Sequence, residues 1–129
     1  MPAHKLIHDP SLPTPIGPYS PAAVFDHLVF VSGQAGADPQ TKALAGPDVE
    51  SQTEQCFKNL QAILQAAGSD LQHVLRCGVF LTDIAEFSKM NTVYERMFDG
   101  HKPARTTVEV SSLPAPGLRV EIDCVAYIP

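Results

Sequence analysis

Two apolar stripes at helical spacing, separated by one short run of strand character, constrain this chain more than any other feature. Val49, Cys56, Leu60, Ile63, Leu64 and Ala67 recur at three- and four-residue steps, which gathers them on one side of an α-helix. Asp48 stands ready as N-cap and Gly68 follows the last apolar residue, so both ends are punctuated. A second stripe runs through Ile84, Phe87, Met90, Tyr94, Met97 and Phe98, with a capping-box spacing at Asp83-Ile84-Ala85-Glu86 and a stop at Gly100. Between the stripes, His73 to Leu81 is dense in Val, Leu and Phe and predicts an inner strand, central in its sheet and covered on both faces.

The flanks read as hairpins. Ala22-Ala23-Val24 and Leu28 to Ser32 fold about Phe25-Asp26-His27, with Gly33 and Gly36 ending the second strand. Thr106 to Val110 and Leu118 to Tyr127 form a closing pair around Leu113-Pro114-Ala115-Pro116-Gly117. The twelve prolines cluster in these turns, so they punctuate the chain and do not mark disorder. The predicted order is β-hairpin, helix, strand, helix, β-hairpin, with no internal repeat and no linker. A chain of 129 residues in this pattern predicts one α+β domain over residues 1–129, a mixed β-sheet with two helices packed on one face. In the last strand, Leu118, Val120, Ile122, Cys124 and Ala126 alternate onto one face and Arg119, Glu121, Asp123, Val125 and Tyr127 onto the other. That second, half-polar face either stays wet or packs against copies of itself, and oligomerisation is the preferred reading.

A formal charge of −5 lacks the basic excess that drives phosphate binding, which makes nucleic acid an unfavoured partner. Cys56, Cys77 and Cys124 form no Cys-x-x-Cys pair, so neither a disulfide framework nor a metal site is indicated. His4 and His8 are four apart but run into Pro10, a poor setting for a metal pair. Met1 to Asp9 offers no apolar run fit for a signal peptide, and nothing in the chain has the length of a membrane span. Cytoplasmic residence is the expectation. Arg105, directly after Lys102-Pro103-Ala104, presents a fork of fixed donors suited to a small organic acid. It is read at the mouth of the closing hairpin whose return strand carries Glu121, and the bland alternative pairs it with Glu121 or Glu109. Asn91 falls inside the second stripe and needs partners for its amide. It is read as fastening the helix to a neighbouring loop's backbone, ahead of direct substrate contact.

Gly17-Pro18-Tyr19-Ser20, Ser32-Gly33-Gln34, Asn91-x-x-Tyr94, Pro103-Ala104-Arg105, and Leu113-Pro114 followed by Glu121 occur together in one order and spacing. In these motifs the chain closely resembles the RidA (YjgF-type) branch of the Rid, or reactive intermediate deaminase, family, from about Gly17 to the C-terminus. The resemblance implies a chorismate-mutase-like fold assembled as a homotrimer with clefts between subunits. It also implies an activity, hydrolysis of enamine and imine intermediates such as 2-aminoacrylate and 2-aminocrotonate to 2-keto acids and ammonia, with no metal or organic cofactor. Such a carboxylate-bearing substrate links the chain functionally to PLP-dependent dehydratases. By resemblance, Arg105 binds the substrate carboxylate, Glu121 is the acid near the attacking water, and Tyr19 closes the cleft, while Ser32, Gly33 and Asn91 shape or support it.

One position departs from the pattern. Many RidA proteins carry cysteine two residues after the arginine, where this chain reads Arg105-Thr106-Thr107. A thiol role there is excluded, and Thr107 is expected to serve substrate binding through its backbone. Each residue also has a bland reading: Tyr19 as loop packing, Gly33 as a turn requirement, Glu121 as an ion-pair partner of Arg105. The family supplies rivals to the deaminase too, namely an endoribonuclease or translation inhibitor, a chaperone-like protein, and a non-catalytic trimer that binds keto acids.

Overall fold

The computed structural model describes residues 3–129; Met1 and Pro2, which begin the stretch read above for a signal peptide, lie outside them. Six strands form one mixed sheet: β1 (Lys5–Ile7), β2 (Ala22–Phe25), β3 (Leu28–Ala35), β4 (Val74–Leu81), β5 (Ala104–Glu109) and β6 (Val120–Tyr127). Their lateral order is β1-β2-β3-β6-β4-β5. Helices α1 (Val49–Ala66) and α2 (Phe87–Phe98) pack on one face, as the two stripes predict. No helix among the described residues is long and apolar enough to cross a membrane.

Local chemistry sets the helix ends. The Asp48 carboxylate accepts from the Ser51 backbone N–H at 2.8 Å and caps α1; Gly68, at φ 89°, turns the chain away. The start of α2 differs from the predicted capping box. Asp83 accepts from Ala85 N–H, and a 3₁₀ turn (Ile84–Glu86) precedes the helix. Its end also comes one residue early, with Asp99 already left-handed at φ 49° before Gly100 at φ 92°. Ile84 and Phe87 of the stripe stay exposed, while Met90, Tyr94 and Phe98 are buried. Val29, Phe57, Leu60, Leu64, Val79 and Ile122 fill the space between helices and sheet.

Three sequence expectations are corrected. The closing hairpin does not exist: β5 lies parallel to β4 on the sheet's outer edge, and β6 inserts antiparallel between β3 and β4. The reason is the α2 crossover, since a strand, helix and strand in succession pack as a parallel pair. Gly33 does not end its strand, because β3 continues to Ala35 through a register shift between Val31 and Gln34, a bulge that a glycine tolerates. Finally, β4 is an inner strand but is covered on one face only, leaving Leu75 and Arg76 exposed. The short β1, which pairs with β2, has no counterpart in the sequence reading.

Candidate active site

Arg105 and Thr107 stand in register with Cys77 and Val79, both fully buried, so they point to the helix-covered side of the sheet. There the Arg105 guanidinium donates from Nη1 to Asn91 Oδ1 at 2.8 Å. Its carbon lies 4.7 Å from the Tyr94 ring centroid and 5.4 Å from that of Phe87, stacking that stiffens the fork and leaves most of its donors free. Asn91 thus fastens α2 to an arginine side chain, not to a loop backbone. The Thr107 hydroxyl is buried and has no hydrogen-bond partner among the described residues.

Glu121 is placed differently. It alternates with buried Val120 and Ile122 and stands in register with Phe80 and Ala35, on the open side of the sheet. Burial raises its carboxyl above the ordinary glutamate range, and the charge of Asp123 on the same face adds to the shift. Asp123 is itself held by the Gly78 N–H at 2.9 Å. The missing side chain of Gly33 makes room for Glu121: a β-carbon there would come within 2.9 Å of the carboxyl group.

The loop bearing Tyr19 is tied to the same region. Ser32 donates from Oγ to the Ser20 carbonyl at 2.7 Å and from its backbone to the Pro21 carbonyl at 2.9 Å. Tyr19 stands half exposed beside Gly33 and Glu121, and all three line one cavity of about 370 Å³. Arg105, Asn91 and Tyr94 line another, of about 320 Å³. The predicted residues therefore form two groups: Tyr19, Ser32, Gly33 and Glu121 in one, Asn91 and Arg105 in the other, with Thr107 near the second along β5. Strand β4 separates Arg105 from Glu121, and they face opposite sides of the sheet. Neither Glu121 nor Glu109 pairs with Arg105 among the described residues; Glu109 instead accepts from Ile84 N–H.

Sequence reasoning missed Gln52. Fully buried on α1, it donates to the Gly46 and Gly117 carbonyls and accepts from Arg119 N–H, pinning the 113–119 loop beside Glu121. Its place among the polar residues of α1 gave no sign of this. Cys56, Cys77 and Cys124 are buried free thiols, and burial pushes the Cys77 thiol up to about 11, so none is poised as a nucleophile.

Residues 10–128 match the family described as Endoribonuclease L-PSP. Among curated relatives, Protein DfrA of Myxococcus xanthus is 48% identical over 126 residues, 96% of this chain and 95% of that one. The 2-iminobutanoate/2-iminopropanoate deaminase of Mus musculus is 40% identical over 122 residues, 95% of this chain and 90% of the relative. A crystal structure of E. coli TdcF with bound serine superposes with a TM-score of 0.88 at 35% identity, covering 95% and 98% of the two chains. Agreement of this extent in sequence and in fold spans nearly the whole chain, and it makes the protein a member of the RidA/YjgF family.

Proposed function

We propose that the protein is a 2-iminobutanoate/2-iminopropanoate deaminase, hydrolysing enamine and imine intermediates to 2-keto acids and ammonia in clefts shared between copies of a homotrimer. The observation that carries this reading is the separation of Arg105 from Glu121 on opposite faces of one sheet. One chain cannot bring both to a substrate of a few atoms, whereas two copies in cyclic contact can. The exposed apolar residues Leu28, Phe30 and Val108 on the open face suit such a contact. Names of relatives support the chemistry, and the serine bound in TdcF has the carboxylate that Arg105 is built to hold. The three buried thiols fit a reducing compartment such as the cytoplasm.

In the mechanism this supports, Arg105 fixes the carboxylate and the enamine tautomerises to the electrophilic imine. Glu121 takes a proton from one water as its oxygen bonds to the imine carbon. The resulting carbinolamine collapses when the nitrogen, protonated, departs as ammonia and the carbonyl forms. No strong nucleophile is needed. Tyr19 closes the cleft, Ser32 and Gly33 hold its wall, Asn91 aims Arg105, and Thr107 lies beside the carboxylate.

The test is release of 2-oxobutyrate from threonine by a PLP-dependent dehydratase, with semicarbazide competing for the imine. The wild type should accelerate release. Arg105→Ala should lose about 10- to 100-fold, the worth of charge-assisted hydrogen bonds of roughly 1.5–3 kcal/mol. The family's endoribonuclease description supplies the rival reading. It predicts salt-sensitive RNA cleavage that survives Arg105→Ala, and the net charge of −5 argues against it.

A further inference from the structure

We propose that the ion pair between Glu86 and Arg119 is a positioning pair for substrate binding: it fixes the first turn of α2 and, through Phe87 and Asn91, the guanidinium of Arg105. This role rests on the reading above, in which Arg105 holds the substrate carboxylate. Phe87 and Asn91 stand four residues apart, one above the other on α2. Phe87 stacks on the guanidinium with its ring centroid 5.4 Å away, and Asn91 Oδ1 accepts from Nη1 at 2.8 Å. Both contacts come from the start of the helix, so a tilt of that end moves the fork that meets the carboxylate.

Little else holds that end. Among the described residues no side chain caps α2, so its first N–H groups lack the acceptor that commonly fixes a helix start. Burial does not hold it either: Ile84 and Phe87 are exposed, whereas Met90, Tyr94 and Phe98 further along are buried. The bond from Ile84 N–H to Glu109 is exposed and lies before the helix. Glu86 immediately precedes α2 with its side chain only 15% exposed, and its Oε1 accepts from Arg119 Nε at 2.8 Å, a charge-assisted bond. Arg119 is in turn fastened through its backbone on two sides. Its N–H donates to Gln52 Oε1 at 2.8 Å, and its carbonyl accepts from the Thr82 N–H at 3.1 Å. The pair therefore ties the unburied end of α2 to the anchored base of β6. Hydrolysis leaves the substrate carboxylate unchanged, so the grip of Arg105 on it is equal in ground and transition states and its loss falls on KM.

The test compares wild type, Glu86→Gln, Arg119→Met and the double variant in two measurements: Kd for 2-oxobutyrate by NMR titration, and kcat and KM for 2-iminobutanoate with semicarbazide competing. Each single variant should raise Kd and KM together by about five- to tenfold and keep kcat within about twofold. The double variant should lose no more than either single one, because one pair is broken in all three. Tm should fall by only a few degrees, as expected of a partly exposed pair. Arg96→Met breaks the other carboxylate pair of α2, the 3.6 Å contact with Glu54 near the far end of the helix, and should leave Kd and KM unchanged. Unmoved Kd and KM in both single variants would overturn the proposal, as would a loss in the double variant equal to the product of the two. A fall in Tm and kcat with Kd unmoved would mark the pair as structural only and overturn it too. If the wild type binds 2-oxobutyrate but hydrolyses no imine, the deaminase reading falls and the Kd values alone decide for or against the pair. Failure of the wild type to bind 2-oxobutyrate would remove the carboxylate role of Arg105, and the proposal with it.

Discussion

On the deaminase reading, Glu121 has to lose and regain a proton inside a partly dry cleft, and its surroundings bear on that role. Desolvation, then the charge of Asp123, raises its pKa. If it must be ionised to draw a proton from water, the acid limb of kcat/KM will fall above the ordinary glutamate value of about 4.3. Stability should move the opposite way. A carboxyl raised in the folded state favours folding fully below its unfolded pKa, and that contribution is lost as pH rises through the folded pKa. Glu121→Gln is therefore expected to inactivate the protein yet raise Tm at pH 7, a gain that solvent screening of the half-exposed carboxyl keeps small and that is absent near pH 4. Thermal unfolding of both forms across that range measures it, and a Tm lowered at pH 7 would contradict the shift. A site that works at some cost in stability is a common arrangement.

Among the elements, both helices were legible from the chain alone because their signals are local. Asp48 caps, Gly68 stops, and the apolar spacing of α1 needs no knowledge of what it meets. The strand order was not legible. Pairing of β6 with β3 and β4 joins residues some ninety and fifty positions apart, and no turn residue between Val110 and Arg119 distinguishes a hairpin from a strand that crosses to the sheet's centre. The residues proposed for the site came from resemblance, whereas their division between two sheet faces followed only from the register. Gln52 lay beyond both routes, since its partners are backbone groups of distant loops. Gln52→Leu strands the Gly46 and Gly117 carbonyls and the Arg119 N–H, and is expected to cost roughly 2–4 kcal/mol in denaturant unfolding. Catalysis should fall with it, because the freed loop carries Pro114 and Pro116 of the cavity wall.

At the scale of the whole molecule, the proposed function makes the open face of the sheet the place where assembly and chemistry meet. The face that exposes Leu28, Phe30 and Val108 also carries Glu121, while α2 holds Arg105 on the covered side. On the shared-cleft reading, a chain built this way holds one half of each of two different sites, and two separately inactive proteins can therefore repair one another. Arg105→Ala chains still supply a sound glutamate, and Glu121→Ala chains a sound arginine. Unfolded together in equal amounts and refolded, they should form mixed trimers with about a quarter of all clefts intact, and recover about that fraction of wild-type activity. Mixing without subunit exchange should recover none, so genetic complementation between two null alleles becomes a direct readout of how the sheet divides its functional groups.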